Sequence, residues 1–139
     1  MADALRAAIM TSVAALRAQS VRLRVVSENL ANTNVTASTS GGTPYIRKTI
    51  SFKEEFDRAS GTSVVQVSAI GRDRSAFRIQ HEPGHPAADA SGNVKLPNVN
   101  PLIELSDMRE SHRSYEASLQ VVRQSREMSG DLIDLLRGK

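Results

Sequence analysis

Two histidines and a glutamate near the middle of the chain have the spacing of a zinc-peptidase motif. The segment HEPGH places His81, Glu82 and His85 in the pattern H-E-x-x-H, in which the histidines bind zinc and the glutamate acts on a metal-bound water. The pattern works only on a helix, because residues four apart then turn both imidazoles toward one ion. Pro83 and Pro86 disfavour a helix at this point. We therefore interpret the motif as a coincidence and predict a surface turn.

No other set of residues predicts catalysis or a bound cofactor. Glu104 could complete the zinc ligands only from a separate element, beyond the segment PNVN. The chain has no cysteine, which excludes disulfides, thiolate zinc sites and cysteine nucleophiles. It also lacks a G-x-S-x-G segment, a G-x-G-x-x-G loop and a Walker loop. The sequence predicts a protein that is not an enzyme and that needs no cofactor and no metal.

Composition narrows the possible partners. The 139 residues are 40% apolar but only 4% aromatic, and the net charge is +3. The basic residues are spread along the chain, so no block of lysine and arginine predicts nucleic-acid binding. No segment is long and apolar enough to span a bilayer, and the N-terminus lacks the pattern of a Sec signal peptide. We expect no membrane insertion, and any work outside the cytoplasm would require a route without a cleavable signal.

The N-terminal segment is predicted to be one long helix from residue 3 to about residue 31. Apolar residues recur every three or four positions, with Ser12 and Gln19 as polar interruptions, which is the spacing of a coiled-coil seam. Asparagines in NLANTN suit a helix end, because asparagine tolerates the left-handed conformation. The seam residues that we predict to pack are Leu5, Ile9, Leu16, Leu23, Val26 and Leu30.

The C-terminal segment is predicted to be a second long helix from residue 101 to about residue 137. Asn100 can cap it and Pro101 suits the first helical position. His112, Arg126 and Ser129 interrupt its seam. The seam residues that we predict to pack are Leu105, Met108, Tyr115, Leu119, Val122, Ile133 and Leu136.

The residues between the helices predict a small β-rich insertion. Short alternating segments at 45–52, 63–70, 76–80 and 93–96 predict strands, separated by segments rich in glycine, proline and serine. The predicted fold class is mainly α with a β insertion (α+β), in which the terminal helices form a coiled-coil-like pair. The predicted divisions are 1–34, 35–100 and 101–139.

Two interpretations of this pattern remain open. The helices could form an antiparallel hairpin packed on the chain's own β insertion. Alternatively, they could pair and then pack against other subunits, because Leu102, Ile103 and Leu135 widen the apolar surface beyond one seam. Uncovered apolar surface favours association by roughly 25 cal/mol per Å². Contacts that do not close into a ring extend into rods or tubes.

Several motifs together resemble those of a known family. The chain is similar to the bacterial flagellar axial proteins, and within them to subunits of the proximal rod. NLAN is shared widely in that family, whereas PGHP, PNVN and RSYEA at these separations are more specific. The residues that carry the resemblance include Asn29, Leu30, Ala31, Asn32, Tyr45, Pro97, Asn98, Asn100, Arg113 and Tyr115. The chain departs from the family where Arg109, Ser111 and His112 stand, because small or apolar residues are usual there.

The resemblance implies a structural role in the rod of the flagellar basal body, which crosses the periplasm and transmits torque. It implies export through the flagellar type III apparatus without a cleavable signal peptide. The terminal helices would form an inner layer and the β insertion an outer domain. The implied partners are other proximal-rod proteins, the distal-rod subunit, an adaptor at the export gate or ring, and further copies of the chain itself.

Overall fold

The structure, a computed structural model, describes residues 2–138 and contains two long helices with four strands between them. The elements are α1 (Ala2–Ala31), β1 (Lys48–Asp57), β2 (Thr62–Arg72), β3 (Arg78–His81), β4 (Asn93–Leu96) and α2 (Pro101–Leu136). This order confirms the predicted α+β class. The coiled-coil pairing of the helices remains a prediction. Within the described residues, neither helix combines the length and hydropathy needed to cross a membrane.

Helix α1 ends through side-chain hydrogen bonds and not through a left-handed residue. Asn32 Nδ2 donates to the Glu28 carbonyl at 2.7 Å, and Thr33 Oγ1 donates to the Leu30 carbonyl at 2.8 Å. Among residues 2–138, a positive φ occurs only at glycines. The predicted left-handed asparagine was therefore wrong. The same two carbonyls also accept the backbone N–H groups of Asn32 and Thr33, so the polar side chains reinforce the last turn of the helix.

Helix α2 begins as the sequence predicts. The Asn100 Oδ1 accepts a hydrogen bond from the Leu102 backbone N–H at 3.0 Å, and the Glu104 N–H donates to the Asn100 carbonyl at 3.1 Å. Pro101 occupies the first helical position, where a missing N–H costs nothing. The first turn of α2 is therefore fixed by two neighbouring residues.

The strands form two separate two-stranded sheets. A short turn at residues 58–61 links β1 to β2, and β3 pairs antiparallel with β4, with Arg78 opposite Leu96 and His81 opposite Asn93. Strand β1 continues through Glu54 to Asp57, beyond the predicted end at residue 52. Residues 51–56 of β1 are exposed, so neither face of the strand requires apolar side chains there. Charged residues therefore do not end the strand.

The chain divides into two compact units, to which both helices and both long strands contribute. Within the described residues, unit 1 comprises 2–23, 51–69 and 110–138, and unit 2 comprises 24–50 and 70–109. The apolar core of unit 2 contains Ala87, Ala88 and Val94, with Ala37 and Leu96 packed against them. In unit 1, half of the buried residues are serines; the buried set is Ser12, Ala18, Val64, Ser111, Val122 and Ser125.

At three positions along α2, the buried residue is the one just before the residue that the seam pattern selects. Leu105, His112 and Arg126 are exposed, whereas the residues that precede them are buried. Small serines permit close packing, so burial follows side-chain size and not apolar character alone. The buried and half-buried residues along this face are Glu104, Met108, Ser111, Tyr115, Ser118, Val122, Ser125 and Ser129.

Candidate functional site

The zinc-like motif begins at the last residue of β3 and continues into the turn that the sequence predicts. His81 ends β3, and its Nδ1 lies 3.2 Å from Asn93 Oδ1. The His85 Nδ1 accepts a hydrogen bond from the Ala87 backbone N–H at 3.0 Å. The motif is not helical, so its spacing does not direct both imidazoles to one point. Within residues 2–138, no three acidic, histidine or cysteine side chains are grouped so that they could hold a metal ion.

The most highly organised polar site in unit 2 is centred on Asn29, whose side chain is only 1% exposed. We name it the Asn29 cluster. It joins the last turn of α1, the segment that leads into β1 and the first turn of α2. Its members are Asn29, Tyr45, Arg47, Lys48, Glu104 and Asn98.

The Asn29 amide makes four hydrogen bonds. Its Nδ2 donates to the Lys48 carbonyl at 2.9 Å and to Glu104 Oε2 at 3.1 Å. Its Oδ1 accepts from the Lys48 N–H at 2.8 Å and from the Tyr45 hydroxyl at 2.9 Å. An asparagine amide has two donors and an acceptor with two lone pairs. Asn29 therefore uses its full capacity, and it pairs with both backbone groups of Lys48 as a neighbouring strand would.

Glu104 is fully buried, with 0% exposure, and Arg47 compensates its charge. The Arg47 Nε donates to Glu104 Oε1 at 2.5 Å, and the guanidinium lies 3.4 Å from Asp73 and 3.9 Å from Asp107. Burial lowers the pKa of Arg47, but the hydrogen bonds and charges of Glu104 and Asp73 outweigh burial and raise it. A buried carboxylate is tolerated only when it is paired and hydrogen bonded, and both conditions hold for Glu104.

Asn98 fixes the other side of Arg47. Its Oδ1 accepts a hydrogen bond from the Arg47 backbone N–H at 2.8 Å, and its Nδ2 donates to the carbonyls of Asp73 and Ser75, each at 3.2 Å. The Asp73 N–H donates to the Arg47 carbonyl at 2.8 Å. Asn98 therefore holds the segment that precedes α2 against the segment that precedes β1.

The rim of the cluster carries a second ion pair. Lys48 Nζ donates to Glu28 Oε2 at 2.6 Å, and this hydrogen bond lowers the pKa of Glu28 and raises the pKa of Lys48. Burial raises the pKa of Tyr45, whose hydroxyl donates to Asn29. The cluster contains carboxylates, amides and cations that are engaged with one another. The cluster connects elements of the fold and presents no nucleophile beside a general base, so its arrangement is suited to a structural role.

The structure brings some of the predicted motif residues together and leaves others apart. Asn29, Tyr45 and Asn98 meet in the cluster, while Asn100 caps α2 and Asn32 ends α1. The Pro97 carbonyl accepts from Arg78 Nε at 3.4 Å. Of the others, Ala31 and Arg113 are exposed, and Leu30 and Tyr115 are half-buried.

The residues predicted to pack between helices differ in burial within the single chain. Val26 and Val122 are buried, and Ile133 and Leu136 are exposed along with Leu105. The others are half-buried: Leu5, Ile9, Leu16, Leu23, Leu30, Met108, Tyr115 and Leu119. At one end of unit 1, Leu5 and Ile9 of α1 line an apolar groove with Leu132, Ile133 and Leu136 of α2.

Sequence reasoning did not foresee the ion pair between Arg47 and Glu104. Glu104 was considered only as a metal ligand, and the charge of Arg47 was given no partner. One signal was available, since Glu104 is the only charged residue in the apolar segment PLIEL. An acidic residue is also typical of the first turn of a helix, where the helix dipole favours negative charge. The position of Glu104 therefore does not by itself indicate a buried ion pair.

Helix α2 also presents an apolar stripe to solvent in unit 1. Val121 is 44% exposed, Met128 45% and Leu135 73%. Residues seven apart lie on one face of a helix, because seven residues make nearly two turns. We name these three residues the α2 stripe. In a single chain it remains in contact with water, which makes it a surface suited to association.

Comparison with known proteins gives one consistent result. Residues 90–135 match the family model described as the flagellar basal body rod FlgEFG protein C-terminal region. A flagellar basal-body rod protein FlgC from Agrobacterium fabrum is 51% identical over 135 residues, which cover 97% of each chain. The FlgC protein of Bacillus subtilis is 39% identical over 132 residues, covering 84% of this chain and 88% of the relative. The FlgC protein of Salmonella typhimurium is 36% identical over 108 residues, covering 78% and 80%.

Proposed function

Since this chain belongs to the family of the flagellar basal-body rod protein FlgC, we propose that it is a non-catalytic subunit of the proximal rod. The carrying observation is the 51% identity to a FlgC protein over 97% of both chains. The protein is a structural component of the bacterial flagellum and acts in its basal body. The Asn29 cluster agrees with this role, because it connects elements and has no reactive group.

Assembly by helix packing is supported by the surface of α2. The α2 stripe and the apolar groove that begins at Leu5 both belong to unit 1 and both contain exposed apolar side chains. Covering such surfaces releases water and contributes roughly 25 cal/mol per Å². We propose that helices of neighbouring rod subunits cover them. The residues predicted to pack that are exposed in the single chain, such as Leu136, then gain contacts on assembly.

The remaining organisation is inferred from family membership. We propose that segments 1–34 and 101–139 form an inner layer of the rod and that segment 35–100 forms a β-rich outer domain. The partners would be other proximal-rod proteins, the distal-rod subunit, an adaptor at the export gate or ring, and further copies of this chain. The chain would reach the periplasmic rod through the flagellar type III export apparatus without cleavage.

A gene replacement in the source bacterium tests this function. Deletion of the gene is expected to abolish swimming, and the wild-type gene supplied in trans is expected to restore it. Met128→Asp places a charge in the α2 stripe, so it is expected to prevent swimming while the purified chain keeps its helical circular dichroism spectrum. Gln120→Asp adds the same charge at an exposed position on another face of α2 and is the matched control.

Two results would contradict the proposal. Normal swimming after deletion would exclude an essential role in the rod. Normal swimming of the Met128→Asp strain would exclude the α2 stripe as an assembly surface while leaving rod membership intact.

A further inference from the structure

The sulfur atoms of the chain are few, and all of them are thioethers. The sequence has four methionines and no cysteine, so methionine is the only side chain that a peroxide can oxidise at sulfur. Of the three methionines in the described residues, Met10 is 41% exposed and Met128 45%, whereas Met108 is half-buried. Susceptibility to oxidation follows exposure. Met10 and Met128 are therefore the two susceptible positions within residues 2–138.

Both exposed methionines lie in the surfaces of unit 1 that we propose a neighbouring chain covers. Met128 is the central member of the α2 stripe, seven residues from Val121 and seven from Leu135. Met10 lines the apolar groove that begins at Leu5. Met108 belongs to unit 2. One chemical change at exposed sulfur can therefore alter both association surfaces while unit 2 stays unmodified.

A peroxide converts the thioether of methionine into a sulfoxide. The sulfur lone pair attacks one peroxide oxygen, the O–O bond breaks and an S–O bond forms. The sulfur is oxidised by two electrons, and hydrogen peroxide is reduced and leaves as water. The sulfoxide is polar and its oxygen accepts hydrogen bonds. An apolar helix that covered it would leave this oxygen buried without a donor, which opposes association.

We propose that Met10 and Met128 are peroxide-modification sites, and that their oxidation in the free chain prevents the chain from joining the rod. This inference rests on the proposed function, because the two surfaces matter only if a neighbouring rod-protein chain covers them. The free chain presents both thioethers to solvent, and coverage in the rod would shield them. The modification therefore acts before assembly. Methionine sulfoxide reductases reverse it, so an excluded chain can regain its competence.

Oxidation of the purified chain tests the assignment of the sites. Hydrogen peroxide is added, catalase stops the reaction, and peptide mass spectrometry measures the sulfoxide fraction at each methionine. We expect Met10 and Met128 to be oxidised at least about threefold faster than Met108. The helical circular dichroism spectrum should not change, because both positions are exposed. Gln120→Met adds a thioether at an exposed position on another face of α2 and gives the rate for an accessible control.

The deletion strain tests the effect on assembly. Expression of the chain is induced in the presence of hydrogen peroxide, so that new copies meet the oxidant before they assemble. The sulfoxide fraction at Met128 is then compared between isolated basal bodies and the soluble pool. We expect the fraction in basal bodies to be lower by about fivefold or more. In the Gln120→Met variant, the sulfoxide fraction at position 120 should be equal in the two pools.

Substitution at position 128 gives a second test that needs no oxidant. Met128→Gln places a polar side chain of similar length in the α2 stripe, as oxidation does, so it is expected to reduce the swimming halo. Met128→Leu keeps an apolar side chain of similar volume, and its halo is expected to exceed that of Met128→Gln. Both variants should keep the helical circular dichroism spectrum.

Three results would overturn the inference. They are equal oxidation rates at Met108 and Met128 in the purified chain, equal sulfoxide fractions at Met128 in basal bodies and the soluble pool, and a Met128→Gln halo as large as that of Met128→Leu. Restoration of swimming by the wild-type gene is scored separately in the untreated deletion strain. Failure of that restoration would overturn the rod function itself, whereas successful restoration together with any of the three results overturns only this inference.

Discussion

At the scale of single residues, the side-chain amide of Asn29 forms the two backbone hydrogen bonds that a neighbouring strand would form. Asn29 lies in α1, where asparagine is a poor helix former because its side chain competes for backbone groups. That tendency is used here, because the side chain pairs with the N–H and the carbonyl of Lys48, nineteen residues away. The polar character that weakens the helix locally joins it to β1. The end of α1 and the start of β1 are fixed by the same side chain.

Replacement of the Asn29 amide should lower the free energy of unfolding. Asn29→Ala leaves the Lys48 backbone groups, the Tyr45 hydroxyl and one Glu104 oxygen without their partner. Each buried group left unpaired costs about 1–3 kcal/mol, so we expect the free energy of unfolding to fall by about 3 kcal/mol or more. Urea denaturation followed by circular dichroism measures the change.

A nearby asparagine supplies the comparison for this experiment. Asn34 is exposed and lies just beyond the end of α1, so Asn34→Ala should change stability by less than about 0.5 kcal/mol. Equal and small losses in both variants would show that the Asn29 cluster does not stabilise unit 2.

At the scale of elements, the start of α2 depends on one cap. The Asn100 Oδ1 accepts the Leu102 N–H, which is one of the four donors that a helix N-terminus leaves unsatisfied. Asn100→Ala should therefore cost about 1 kcal/mol. Asn100→Asp keeps the acceptor and adds a negative charge that the helix dipole favours, so its stability should equal or exceed that of the wild type.

The same urea titration checks this prediction. Capping is contradicted if aspartate destabilises the chain as much as alanine does. In that case the Asn100 side chain would matter for its shape and not for its acceptor oxygen.

Local signals account for the elements that the sequence predicted well. Asn100 and Pro101 act on the backbone beside them, so they predicted the first residue of α2. The turn around Pro83 and Pro86 was likewise predicted, since proline constrains its own φ and the residue before it. Such effects act within a few residues and can be recognised without knowing the fold.

The features that sequence reasoning missed depend on tertiary contacts. Asn29 and Glu104 are 75 residues apart in sequence, and nothing local indicates that they meet. On α2 the pattern selected Leu105 and Ile133, which are exposed in the single chain, whereas the residues buried there include small ones such as Ser111. The packing of Leu105 and Ile133 against other helices stays a prediction. The predicted strand ended at residue 52, before Glu54 and Glu55, although an exposed ribbon tolerates charge. Periodicity identifies a helix more reliably than it identifies the buried side.

At the scale of the whole molecule, the two units differ in what holds them together. Unit 2 contains the Asn29 cluster and an apolar core around Val94. Unit 1 buries Ala18, Val64 and Val122 together with three serines, and it carries the exposed α2 stripe. The described polar contacts of unit 2 lie within the chain, and we propose that the exposed apolar surface of unit 1 is the part that contacts a neighbouring chain.

The stability of the whole chain should also decrease in acid. The Lys48 hydrogen bond lowers the pKa of Glu28 below its ordinary value of 4.5. The backbone N–H of Ala59 lowers the pKa of Asp57, and the backbone N–H of Ser75 lowers the pKa of Asp73, each below the ordinary value of 3.8. The folded chain therefore binds fewer protons than the unfolded chain between the lowered and ordinary values. The stabilisation is present above the ordinary values and is lost as the pH falls through the lowered ones.

Asp73→Asn tests the direction of this dependence. The Asp73 Oδ1 accepts the Ser75 N–H at 2.8 Å, and an asparagine Oδ1 can accept the same bond while the ionisable group is removed. We expect the free energy of unfolding, measured in urea from pH 7 to pH 3, to fall less steeply in the variant than in the wild type. Asp73→Asn should also be less stable than the wild type at pH 7, because Arg47 then loses one of its anionic partners. An unchanged slope would mean that Asp73 keeps the same proton affinity in the folded and unfolded chains, and a steeper slope would reverse the predicted sign.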